Sequence, residues 1–110
     1  MSETTLPPKF ETLVQESDKP VLVDFYADWC GPCKQVSPVV ARLASEFKDR
    51  IVTVKINTDR RPELASKWQI TGIPTIVLVH RGQTLMRLSG AYPYPQLRAE
   101  LEKGLVKAVR

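Results

Sequence analysis

The segment Val21-Leu-Val-Asp-Phe-Tyr-Ala-Asp-Trp-Cys-Gly-Pro-Cys-Lys34 (VLVDFYADWCGPCK) decides the fold. Its first half, Val21–Ala27, is a nearly continuous apolar run rich in β-branched and aromatic residues, the pattern of a strand covered on both faces. Asp24 is the exception inside that run. The second half holds both cysteines of the chain, Cys30 and Cys33, with Gly31 and Pro32 between them. Val36, Val40, Leu43 and Phe47 then recur at helical spacing, so Lys34 to about Asp49 reads as an amphipathic helix. Pro38 lies within it and should bend its axis. A buried strand therefore leads directly to a helix N-terminus that carries two thiols.

Outward from this segment, strands and helices alternate. Before it, Lys9–Glu16 places Phe10, Leu13 and Val14 at helical spacing, and Asp18-Lys-Pro20 closes that short first helix. After it, Ile51–Ile56 is a second strand, Asn57-Thr-Asp59 a turn, and Pro62–Trp68 the neighbourhood of a further helix. Thr75–His80 and Thr84–Ser89 are two strands joined by Arg81-Gly82-Gln83, a short turn that predicts an antiparallel hairpin. From Pro95, Leu97, Leu101 and Leu105 mark a last helix, weakened by Gly104. The order α, β, α, β, α, β, β, α predicts an α/β fold with a mixed central sheet flanked by helices on both faces. The helical crossovers imply parallel pairing among the earlier strands.

With 110 residues, 43% of them hydrophobic and 25% charged, the chain is expected to form one domain over residues 1–110. A core of that size holds without covalent staples, which leaves the cysteines free for chemistry. Met1–Lys9 is polar and proline-bearing, so neither a secretory signal nor a membrane span is expected, and the expected location is cytoplasmic. In a reducing compartment a close cysteine pair is catalytic or metal-binding rather than structural. The net charge of +4 is uneven, since residues 1–28 carry two basic and six acidic side chains and leave +8 on the remainder. The Lys and Arg residues are scattered and no basic run interleaves with aromatics, which favours a solvated surface over a nucleic-acid interface.

A thiol attacks a disulfide only as thiolate, and a helix start favours thiolate through unpaired N–H groups and the macrodipole. Cys30 occupies that position and is expected to be reachable, while Cys33 follows on the next turn, shielded by it. Gly31 allows close approach of a partner, and Pro32 gives up a donor that would have been unpaired while fixing φ. Both stiffen the loop and so tune the thiol–disulfide equilibrium. Cys33 must lose a proton to act, and Asp24 is the candidate base because burial would raise its proton affinity. Lys55, the charged residue of IVTVKI, is its natural ionic partner. A zinc site would need more ligands than Cys30, Cys33 and the lone His80 supply, unless shared across a dimer, so no metal and no cofactor is expected.

The motif WCGPC with VDFYADWCGPCK around it, Pro38, VKINTD around Lys55, TGIPT at residues 71–75, and Gly82 and Gly90 together resemble the thioredoxin family from about Phe10 to the C-terminus. The resemblance implies a thioredoxin fold and a general protein-disulfide reductase, with Cys30 as nucleophile, Cys33 as resolving thiol and Asp24 as proton acceptor. It further implies a cis Ile73-Pro74 bond and a shallow docking face made by Trp29, Gly31, Pro32, Ile73, Pro74, Gly90 and Ala91, on which the Ile73 backbone pairs with a substrate chain. The implied partners are oxidised target proteins and a thioredoxin reductase, either NADPH- or ferredoxin-dependent, with the protein acting as a monomer away from membranes and nucleic acid. The chain departs from the family in its basic charge, where many members are mildly acidic, and at three places in the sequence. Tyr26 stands where tryptophan is usual, the first edge strand before Phe10 is expected to be reduced or absent, and Ala91-Tyr-Pro-Tyr-Pro95 is unusually aromatic.

Two other readings compete. The basic surface and the Tyr92/Tyr94 segment would suit a binding module whose redox activity is incidental. The same chemistry could also run toward disulfide formation or isomerisation, although the Gly-Pro pair resembles the reducing members.

Overall fold

A computed structural model describes residues 9–108, and the expected reduction of an edge strand before Phe10 falls outside them. The elements are α1 (Lys9–Glu16), β1 (Val21–Tyr26), α2 (Gly31–Glu46), β2 (Val52–Asn57), α3 (Pro62–Lys67), β3 (Thr75–His80), β4 (Gln83–Ser89) and α4 (Tyr94–Ala108). Every expected element is present, and the order matches. The second helix stops at Glu46 rather than near Asp49, because Phe47 leaves helical geometry with φ −107° and ψ 18° while its N–H still closes on Leu43 O.

The four described strands run in the spatial order β2-β1-β3-β4. β1 and β2 are parallel, whereas β3 is antiparallel to both β1 and β4. The parallel pairing expected among the earlier strands thus holds only for β1 and β2. Residues 58–74, with the short α3 among them, do not cross back along the sheet. The chain therefore enters β3 at the end of the sheet where it left β2, and β3 reverses direction. The return to β4 is made by Arg81 and Gly82, both at positive φ (52° and 81°), as a two-residue hairpin turn requires. At Gly82 the positive φ is the constraint, since the nearest atom a Cβ would meet is the Oε1 end of the flexible Gln15 side chain, which can move aside.

Alternation along the strands divides the core into two layers. Leu22 of β1 and Ile76 and Leu78 of β3 point to one face and pack with Val36, Val40, Leu43 and Phe47 of the α2 segment and Leu97, Leu101 and Leu105 of α4. Val21, Val23, Phe25, Val77 and Val79 point to the other and pack with Phe10 and Val14 of α1 and Leu64 of α3. The near-continuous apolar run of β1 is explained: both of its faces are covered. The parity also places Asp24 on the α2 side, between Leu22 and Tyr26. Gly104 has a packing role as well as a propensity cost, because it lets α4 approach Leu78 so closely that a Cβ would sit 2.8 Å from Leu78 Cδ2.

Leu101 is fully buried between α4 and the sheet. Leu101→Ala is expected to lower the unfolding free energy by about 2–5 kcal/mol, as core truncations do; a chemical-denaturation curve of the oxidised protein measures it.

Candidate active site

Strand β1 ends at Tyr26, and Ala27-Asp-Trp carries the chain across the sheet end to the first turn of α2. Cys30 is the N-cap of α2, with extended backbone at φ −89° and ψ 110°. Its sulfur stands where a capping oxygen would, and the Cys33 amide donates to Cys30 Sγ at 3.1 Å. Pro32 lies in the first turn, where its missing N–H costs nothing. Cys30 and Cys33 form a disulfide, with Cα atoms 5.2 Å apart.

The two sulfurs belong to different hollows. Cys30 lines an outer cleft of about 490 Å³ together with Trp29, Gly31, Pro32, Thr58, Ile70, Thr71, Gly72 and Ile73. Cys33 lines the inner cavity, a second hollow of about 330 Å³ bounded by Tyr26, Ala27, Ser37 and the exposed Asp28, Lys34 and Lys55, through which it opens to solvent. Cys30 is less open than the sequence suggests: only 4% of the residue is exposed, against 3% for Cys33. The reason is that Ala27, Tyr26 and Ile73 pack around the pair. What distinguishes the two is the cleft that Cys30 faces. Trp29 forms one wall of it, 71% exposed, with its indole N–H donating to Asp59 Oδ2 at 2.8 Å.

The cis Ile73-Pro74 bond implied by the resemblance is present, and Ile73 O lies 3.9 Å from Cys30 Sγ. Trp29, Gly31, Pro32 and Ile73 meet around Cys30 as expected. Pro74 is buried behind them and its carbonyl accepts from the Gly90 amide at 2.9 Å. Ala91 does not reach the cleft and packs instead against the α2/α4 core layer. The cleft gains Thr58, Ile70, Thr71 and Gly72, which the sequence did not single out. Thr71 and Gly72 stood inside the TGIPT signal, but nothing local marks Thr58 or Ile70 as neighbours of a cysteine thirty or forty positions away.

Asp24 is fully buried, and neither carboxylate oxygen has a hydrogen-bond partner. Burial drives its pKa up from 3.8 to about 6, with the positive charge of Lys55 opposing. Asp24 and Lys55 are register partners across β1 and β2. The direct ion pair expected between them is nevertheless absent. The Lys55 ammonium donates to Ser37 Oγ at 3.0 Å and lies 4.7 Å from the centre of the Tyr26 ring. A Lys head on a long flexible stem finds partners at the cavity mouth without being desolvated, which a buried ion pair would demand. Ser37 is thus a cavity residue that sequence reading missed; its only signal is that it sits one turn after Cys33 on the same helix.

The remaining candidates lie elsewhere. His80 is at the opposite end of β3 from Pro74, its Nε2 3.0 Å from Asp18 O. Tyr92 and Tyr94 are half-buried against the core. Tyr94 donates its hydroxyl to Glu46, and the Arg42 guanidinium stacks over its ring. Tyr94 therefore ties α4 to α2 rather than standing free, which removes the aromatic part of the motivation for a binding module and does not bear on the basic surface.

Among known proteins, the thioredoxin family model matches residues 2–103. Thioredoxin 1 of Chlorobaculum tepidum is 48% identical over 95 residues, covering 86% of this chain and 94% of that protein. Thioredoxin 1 of a Nostoc species is 46% identical, over 87% of this chain and 90% of the relative. The chloroplastic thioredoxin Y2 of Arabidopsis thaliana is 47% identical, over 87% of this chain but 58% of its own length.

The raised proton affinity of Asp24 makes stability depend on pH. Between about pH 3.8 and about 6 the folded chain holds a proton that the unfolded chain has released, so stability falls as pH rises through that window and is flat above it. Relative to Asp24→Asn, the parent should lose roughly 2–3 kcal/mol between pH 3.5 and pH 7.5, read from denaturation midpoints at the two pH values.

Proposed function

The chain belongs to the thioredoxin family and is a protein-disulfide reductase, and from that premise we propose how its residues divide the reaction. Cys30 is the nucleophile. Its sulfur caps α2 and receives the Cys33 N–H, so in the dithiol form the helix end stabilises a negative charge on that sulfur. The Cys30 thiolate attacks one sulfur of a target disulfide. A Cys30–target bond forms, the target disulfide breaks, and the departing target sulfur takes up a proton.

Cys33 resolves the intermediate. Its thiol gives its proton to the Asp24 carboxylate on the inner side and its sulfur attacks Cys30 Sγ. The Cys30–Cys33 bond forms, the mixed disulfide breaks, and the target leaves as a dithiol after taking a second proton. Two electrons have passed from the cysteine pair to the target. A thioredoxin reductase then returns two electrons, supplied by one NADPH or by two one-electron ferredoxins, and the protons that complete the two thiols are made up from water. An Asp24 held near neutrality by burial is suited to this task, since it can accept a proton from a thiol and return it to water.

The outer cleft supports docking of target chains by Trp29, Gly31, Pro32 and Ile73, with Pro74 and Gly90 holding the Ile73 turn in place. Small residues and a free backbone edge recognise an extended peptide with little demand on its sequence. Gly31 and Pro32 tune the pair by stiffening the loop, and Lys55 does so by its charge near Asp24. The reading includes a monomer in the cytoplasm. Among the described residues only Trp29 and Val106 are large apolar side chains in the open, so no second apolar face calls for another copy. No helix among them is long and apolar enough to cross a membrane.

The observation that carries the proposal is the division of the two sulfurs between an outer and an inner hollow. Insulin reduction driven by dithiothreitol is expected to vanish in Cys30→Ser. Cys33→Ser should instead accumulate a covalent Cys30–target adduct, seen by mass spectrometry and released by excess dithiothreitol. Full turnover in Cys30→Ser, or an adduct on Cys33 in that variant, would reverse the assignment.

A further inference from the structure

We propose that Ser37 is a positioning residue for the resolving step: with the Tyr26 ring, its hydroxyl tethers the Lys55 ammonium at the mouth of the inner cavity, where that charge acts on Asp24. This deepens the reading above and rests on Asp24 as acceptor of the Cys33 proton. Lys55 is exposed, and a lysine head on a four-carbon stem has many positions open to it unless something holds it. Two contacts do so here. Ser37 Oγ accepts from Lys55 Nζ at 3.0 Å, and the Tyr26 ring centre is 4.7 Å away. Ser37 lies one turn after Cys33 on α2 and lines the same cavity as Cys33, Tyr26 and Lys55.

The consequence is electrostatic. Asp24 makes no hydrogen bond to Lys55, so the ammonium influences the carboxyl across space. A charge fixed in one place acts on a buried carboxyl more strongly than one that swings through solvent. The surrounding titratable and charged groups are few. β1 and the loop after it supply Tyr26 and Asp28, and α2 supplies Cys33 and Lys34. β3 meets Asp24 with Ile76, which is uncharged. Asp28 is already engaged, accepting from Asn57 Nδ2 at 3.3 Å and pairing with Arg60 at 3.8 Å. Lys55 is accordingly the charge best placed to lower the proton affinity of Asp24, and Ser37 is the group that keeps it there.

Carbon-13 NMR titration of the Asp24 carboxyl in the oxidised protein reads the tether directly. Ser37→Ala should move the midpoint to higher pH by about 0.5 unit, roughly threefold in proton affinity. Ser37→Thr, which keeps the hydroxyl, should restore the parent midpoint. In a Lys55→Met background Ser37→Ala should add nothing, since the charge to be positioned is gone. The acid limb of the pH profile for insulin reduction should move in the same direction. A Ser37→Ala midpoint equal to the parent's, or a shift that persists without Lys55, overturns the assignment to Ser37 alone. An Asp24→Asn variant that reduces insulin with the parent's pH profile instead removes Asp24 as acceptor, and the role of Ser37 in the reaction with it.

Discussion

A sulfur occupies the capping position of α2, and the arrangement of the site follows from that. An N-cap side chain must face the open amides of the first helical turn, so Cys30 Sγ is directed at the Cys33 N–H whatever the rest of the chain does. The same turn then carries Cys33 to the inner side of the helix, against β1. Pro32 keeps the turn from being traded for another geometry, and Gly31 leaves the cleft side bare. One capping contact thereby sets the two sulfurs against two different hollows.

The sheet supplies the second constraint. Because β1 is covered on both faces, every side chain on it is committed to one layer or the other, and Asp24 falls on the layer occupied by α2. A carboxyl that would cost little on the surface is here enclosed without a hydrogen-bond partner, a standing destabilisation that a merely structural residue would not be expected to carry. Its register partner Lys55 compensates only from a distance. The result is a carboxyl whose proton affinity burial raises, on the face of the sheet that α2 covers.

Much of this was legible in the sequence because the relevant signals are local. The apolar run of β1, the spacing of Val36, Val40, Leu43 and Phe47, and the WCGPC motif each fix a backbone geometry within a few residues. What was not legible depends on how distant segments meet. The reversal of β3 depends on the path taken by residues 58–74, which periodicity alone does not reveal. Lys55 turned to Ser37 and Tyr26 rather than to Asp24 because partners on other elements were within reach of its stem. Thr58 and Ile70 reach the cleft, and Ala91 leaves it, through loop paths that carry no composition signal. Tyr94, in a segment that reads as a surface feature, attaches α4 to α2 through Glu46 and Arg42.

The account stands or falls on the different characters of the two sulfurs. The most direct measurement is the rate at which iodoacetamide modifies each cysteine of the fully reduced protein at neutral pH, followed by mass spectrometry of the tryptic peptides. Cys30 should react first and faster than a free cysteine, with Cys33 lagging by about tenfold or more, as expected when one thiol is held as thiolate and its neighbour is not. Equal rates at the two positions, or faster modification of Cys33, would contradict it.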